Sequence, residues 1–319
     1  PTATAMMTGS HANDGALSVS PDTPENSADA AVVARHALPT LLEQAEERGL
    51  STGIVSTARI THATPASTYA HTPNRDWEAS VQAPSATLPD IAAQLIARQK
   101  TGDGLEVVLG GGRENFISSA ATDPEYPQSK GRRRDGRDLV EEWMRSQPKS
   151  AYVWKRDDLQ RVDAKNTRHL LGLFEPSHMR YEADRAQDVA GEPSLAEMTT
   201  KAIDLLKTNR KGYFLMVEGG RIDHAHHAGN AYRALTDTIA FSDAVRAAVK
   251  AADRDTLILV TADHSHVLTI SGYPARGNPI LGLVKGPGAT SPSLAADRRP
   301  YTTLSYATGP GFALIDGQV

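Results

Sequence analysis

Four short apolar runs, at residues 53–56, 106–109, 213–217 and 257–260, alternate with stretches of helical period, and this alternation most limits the fold the chain can take. Runs this short and this rich in Val, Ile and Leu read as strands buried on both faces. Helical patterns fall between and around them, near residues 40–48, 89–99, 139–146, 194–208 and 232–252. The first of these carries a capping-box pattern in Thr40 and Glu43, with Gly49 as its stop. The expected architecture is a three-layer α/β/α sandwich around a largely parallel β-sheet, in one domain of 319 residues without internal repeats. Two stretches break the rhythm. Residues 120–136 read as an inserted surface loop, and the Gly-, Pro- and Ser-rich residues 268–299 as a loop-rich insertion over the ligand-binding face. The basic run Arg132, Arg133, Arg134 and Arg137 is expected on a solvated loop face. Gly110, Gly111 and Gly112 follow a strand but lack the Lys-Ser/Thr of a phosphate-cradling loop, which leaves them as a sharp turn.

Two clusters of histidine and carboxylate follow the last two apolar runs: Glu218, Asp223, His224, His226 and His227 in one, Asp263, His264 and His266 in the other. In open parallel sheets ligands bind beyond the carboxyl ends of the strands. Asp223 and His227 have the i, i+4 spacing that puts two side chains on one face of a helical turn, and Asp and neutral imidazole are ordinary zinc ligands. The hard carboxylate of Glu218 suits magnesium better. Asp-His pairs also occur as structural hydrogen bonds or caps; two clusters together, each behind an apolar run, are what point to a divalent-metal site.

The run at 53–56 continues to His62 and Thr64, and then to Arg75. An arginine there offers a planar fork matching two oxygens of a phosphate. Taken alone, such an arginine is more often an ordinary surface residue than a substrate clamp.

Taken in order, these segments resemble the alkaline phosphatases: Pro1 to Gly15, Ser56-Thr-Ala with His62-Ala-Thr64-Pro-Ala, Leu109-Gly-Gly-Gly112, Val217-Glu218-Gly with Ile222-Asp223 and His227, and Thr261-Ala-Asp263-His264. Residues 300–312 are similar to the run before that family's variable crown loop. The resemblance implies hydrolysis of phosphate monoesters at alkaline pH, through a phosphoserine intermediate, with two zinc ions and one magnesium ion. It assigns Asp223 and His227 to the first zinc, Asp263 and His264 to the second, and Glu218 and Thr64 to the magnesium-type site. His62 would stand near that third site, in place of an aspartate of some bacterial members, with looser magnesium retention as the consequence. Arg75 would bind the phosphoryl group, His224 would act on phosphate indirectly, and His266 would orient a zinc ligand by hydrogen bonding.

The same resemblance locates the nucleophilic serine, in Asp-Ser-x, just before Pro1, a further metal-bridging aspartate upstream of that, and the last zinc histidine beyond Val319. The expectation is therefore that the chain is the middle of the enzyme and that the natural protein carries these groups. Each zinc otherwise keeps two protein ligands where a stable site needs three or four. Family members are commonly dimeric and are periplasmic or secreted in bacteria; a homodimer and that location are implied here.

Composition adds exclusions. A net charge of −4 gives no sign of a nucleic-acid partner, and no apolar run approaches the eighteen residues of a membrane span. With no cysteine, the fold does not depend on disulfides. Sulfatase chemistry lacks its Cys/Ser-x-Pro-x-Arg motif. Two alternatives stand: a related metal-dependent phosphodiesterase, which would usually lack an arginine such as Arg75, and a non-catalytic metal-binding homologue.

Overall fold

The computed structural model describes residues 1–308. Its centre is a five-stranded, all-parallel sheet in the order β3-β4-β2-β1-β5, made of β1 (Ser51–Arg59), β2 (Val107–Gly111), β3 (Ser150–Val153), β4 (His169–Leu173) and β5 (Tyr213–Glu218). Side chains alternate across a strand, so Ile54 and Val55 on β1 serve opposite faces. Ile54 joins Val108 and Leu171 in a core with Leu42, Leu95 and Trp143, contributed by α3 (Leu41–Glu47), α5 (Ile91–Arg98) and α6 (Leu139–Ser146). Val55 joins Val107 and Leu109 in a second core with Met198, Leu206 and Ala244, from α8 (Leu195–Leu206) and α10 (Ala231–Ala251). These are the three layers that the sequence pattern predicts. A small antiparallel pair, β6 (Leu268–Ile270) with β7 (Leu304–Tyr306), lies outside the main sheet. The far part of the crown-adjacent segment, residues 309–312, lies outside the described residues.

Local signals held where chain-neighbour chemistry decided them. Thr40 Oγ1 accepts from the Glu43 N–H at 3.1 Å while Glu43 accepts from the Thr40 N–H at 2.8 Å, and Gly49 leaves the helix at φ 71°. The helices expected near 89–99, 139–146, 194–208 and 232–252 are α5, α6, α8 and α10.

Three expectations need correction. Residues 257–260 form no strand: Leu257 and Leu259 are 80% and 82% exposed and pair with nothing in the sheet. Strand propensity is realised only against a partner strand, and β5, the edge of the sheet, pairs on its described side with β1 alone. Arg133 is not on a solvated face. It is fully buried, its guanidinium gripping both oxygens of Asp90 at 3.0 and 2.9 Å and pairing also with Asp135; Arg132, at 59% side-chain exposure, does face solvent. The glycine turn is shorter than expected. Gly110 and Gly111 are still in β2, and only Gly112, at φ 99°, turns. Gly111 has a separate reason to be glycine: a Cβ there would stand 2.2 Å from the Ser177 carbonyl oxygen, so its absence lets the 177–179 loop pack against β2.

Candidate metal centre

Parallel register sets the site. Ser56 on β1 is the partner of Glu218 on β5, so the two side chains meet at the carboxyl ends of adjacent strands, and Ser56 Oγ donates to Glu218 Oε2. Glu218 is half-buried at the cavity wall, and desolvation raises its pKa to about 7 against the opposing pull of hydrogen bonds from Ser56 and Thr64. Two hydroxyls are little compensation for a desolvated carboxylate. A hard divalent cation is what that donor set lacks, and the oxygens of Glu218 and Thr64 are of the kind that could hold one.

After β5 the chain turns into α9 (Arg221–His227), which places Asp223 and His227 one turn apart, with His227 Nε2 3.5 Å from Asp223 Oδ2. The residues 263–264 approach from the far side. His264 Nε2 lies 3.9 Å from Asp223 Oδ1 and 3.6 Å from Asp263 Oδ2, and Asp263 Oδ2 accepts from Thr2 Oγ1 at 3.1 Å. His264 Nδ1 stands 2.8 Å from the Ser265 carbonyl oxygen. A carbonyl only accepts, so Nδ1 carries a proton; that contact and the carboxylates of Asp263 and Asp223 raise the pKa of the ring, and in its neutral form the Nε2 lone pair faces the carboxylates, the tautomer that a metal ligand needs. Asp223 Oδ1 is buried with no hydrogen-bond partner. An orphaned carboxylate oxygen beside two imidazoles matches the chemistry of zinc ligation.

Sequence reasoning placed His266 behind the ligands. In the structure its ring nitrogen falls with the donors of Asp223 and His227 in one group, all within 4.8 Å of one another, and its ring stands edge-on to His227 at 4.7 Å. Asp263 and His264 adjoin this group without being part of it.

Across the cavity, Arg75 Nη2 lies 3.1 Å from His62 Nε2. His62 and His224 are both held neutral by burial and by neighbouring arginines, each with its pKa lowered to about 3. A cavity of about 380 Å3 is lined by Thr64, Arg75, Glu218, Asp223, His227 and His264, together with His62, His224, Asp263 and the Pro1–Thr4 segment. Of the histidines and carboxylates singled out in the two clusters, all but His226 and His266 border this one space.

Two contributors were missed. His178, in the loop after β4, packs against both His62 and His224, with ring centroids 5.1 and 4.2 Å away. Arg59, at the end of β1, contacts His178 and is paired with Glu78. A single histidine in a loop carries no spacing pattern; its one signal was a position just beyond an apolar run, 169–173, that was itself not recognised as a strand. A separate acidic group of Glu125, Glu175 and Asp188 lies apart from this cavity and is met by Arg113 and Arg180.

The alkaline phosphatase family model matches residues 1–318. The tissue-nonspecific alkaline phosphatase isozyme of Gallus gallus is 41% identical over 328 residues, covering 99% of this chain and 61% of that protein. A membrane-bound alkaline phosphatase of Bombyx mori is 41% identical over 320 residues, covering 97% of this chain and 56% of its own length. Among solved structures, the alkaline phosphatase of Thermus thermophilus superposes with a TM-score of 0.67 at 31% identity, over 86% of this chain and 49% of that one. The chain thus spans 61% or less of the relatives named here.

Proposed function

The chain belongs to the alkaline phosphatase family, and from that premise we propose that the whole protein hydrolyses phosphate monoesters through a phosphoserine intermediate and releases inorganic phosphate. The observation that carries this reading is convergence: the carboxylates and imidazoles of Glu218, Asp223, His227, Asp263 and His264 share one cavity with the guanidinium of Arg75. Asp223 and His227 would hold one zinc, joined by His266 as ligand or orienting group; Asp263 and His264 would hold a second; Glu218 and Thr64 would hold magnesium near His62. Bound there, the metals would stabilise charge on the entering and leaving oxygens of an in-line phosphoryl transfer.

The chain's own residues do the rest. Arg75 donates one N–H to His62 and keeps its remaining donors for two non-bridging oxygens of the phosphoryl group, a grip a lysine cannot reproduce. His224, neutral and on the cavity wall, would touch phosphate through its hydrogen-bonding surroundings and not as a charge. Partial burial of Glu218 disfavours its bare charge, so a cation bound there would be held by its carboxylate together with the Thr64 hydroxyl.

Arg75 also favours the monoester over the diester, because a fork on two non-bridging oxygens leaves a third to face the metals only in a monoester, which has three, and not in a diester, which has two. Comparing p-nitrophenyl phosphate with its bis-ester on the full-length, metal-loaded protein tests this: the monoester should turn over much faster. Faster diester cleavage would replace the reading with a phosphodiesterase, and zinc binding without turnover of either would leave a non-catalytic homologue. Homodimeric assembly and a periplasmic or secreted location are proposed on family resemblance. No helix among the described residues is long and apolar enough to cross a membrane.

A further inference from the structure

We infer that His178 is a positioning residue for Arg75, wedged against His62 so that the His62 imidazole accepts from the guanidinium and aims it. It rests on the phosphate-binding role proposed above for Arg75. The rings of His62, His178 and His224 form a closed triangle, with centroids 5.1, 5.2 and 4.2 Å apart. Each ring presents a nitrogen to an arginine: His62 Nε2 to Arg75 Nη2 at 3.1 Å, His178 Nε2 to Arg59 Nη1 at 2.7 Å, and His224 Nδ1 to Arg221 Nη1 at 3.0 Å.

Their ring nitrogens are also within 4.8 Å of one another, close enough to suggest a transition-metal site. The partners decide against it. Guanidinium only donates, so His62 Nε2 and His224 Nδ1 offer their lone pairs to arginines, His178 gives its single lone pair to Arg59, and three cations crowd the space a dication would enter. As it stands, the triangle holds arginines.

His178 is its fixed corner. It reaches the site because Gly111 leaves room for the 177–179 loop. The Arg59 main-chain N–H approaches His178 Nδ1 at 3.1 Å, and Arg59 itself is gripped by Glu78, Nε at 2.9 Å and Nη2 at 2.6 Å. A neutral imidazole has one lone pair, so the ring accepts from only one of its two Arg59 contacts and is otherwise confined by them. Glu78 is itself anchored by Thr61 and Asn115. The path therefore runs from a half-buried, multiply bonded carboxylate through Arg59 and His178 to His62, and ends on Arg75. His178 does not line the cavity, so it acts on phosphate only through the others.

A double-mutant cycle on the full-length, metal-loaded protein tests this, with inorganic phosphate as the probe, binding read by calorimetry and folding checked by thermal denaturation. In the presence of Arg75, His178→Ala should weaken phosphate about tenfold, and in an Arg75→Ala background it should change affinity by less than about twofold. His178→Asn, which keeps an acceptor for the Arg59 main chain, should recover most of the loss. An equal loss in both backgrounds, or a change below about twofold with Arg75 present, overturns the inference. Monoester turnover measured in parallel separates the two claims: coupling without turnover keeps this inference and removes the catalytic one.

Discussion

Asp223 and His227 stand one helical turn apart, His227 Nε2 3.5 Å from one oxygen of the carboxylate, while His264 reaches its other oxygen from a different part of the chain at 3.9 Å. Asp223 is thus the junction between the two histidine-carboxylate clusters. Substituting it by Asn keeps the shape and removes the charge and the orphaned anionic oxygen. Asp223→Asn should lower bound zinc by at least one equivalent and kcat/KM by roughly 10²-fold or more. Metal analysis alongside kinetics checks this; full zinc content with unchanged kinetics would remove Asp223 from the site.

Arg75→Lys should behave nearly like Arg75→Ala, since a lysine keeps charge but not the planar fork. Each should cost roughly 10²- to 10³-fold in kcat/KM, the scale of losing one preorganised donor to developing charge. Steady-state kinetics with a monoester decides. A lysine variant near wild type would show that charge alone suffices.

Arg133 predicts a stability effect that its neighbours lack. Removing it strands Asp90, which it grips through both oxygens and which also caps α5 at the Ala93 N–H. Arg133→Ala should cost about 3–5 kcal/mol, as for other broken buried pairs. Exposed Arg132→Ala should stay within about 0.5 kcal/mol. Urea denaturation of the two variants side by side gives the comparison.

Glu106 sets a pH dependence away from the site. Burial raises its pKa to about 7, although the Ser51 hydroxyl and the Thr52 N–H donate to it. Unfolded, it ionises near 4.5; folded, it holds its proton to about 7. Its contribution is therefore complete below 4.5 and is lost as pH rises toward 7, by an amount on the order of 3 kcal/mol. The stability gap between wild type and Glu106→Gln should shift against the wild type across that window. A gap independent of pH would contradict it.

How much of this was legible in the sequence depended on range. The capping box of Thr40 and Glu43 and the pairing of Asp223 with His227 are contacts within one turn, and spacing alone specifies them. The layered sheet followed from the apolar runs, though β3 and β4 escaped because a four-residue run with half-buried positions and a run interrupted by Gly172 give weak periodic signals. Residues 257–260 failed in the other direction, since their strand pattern meets no partner strand. Arg133 and Arg132 are adjacent and chemically identical, and only the position of Asp90, 43 residues away, separates a buried arginine from a solvated one. His178 was hidden for the same reason: its meaning lies in Arg59, 119 residues distant, and in the gap left by Gly111.

The most direct test of the central claim is monoester hydrolysis by the full-length protein at alkaline pH, before and after chelation, with zinc and magnesium added back singly and together. Turnover should vanish with the metals and return in full only when both are restored. Undiminished turnover after complete metal removal, or none from a folded protein loaded with both, would contradict the account.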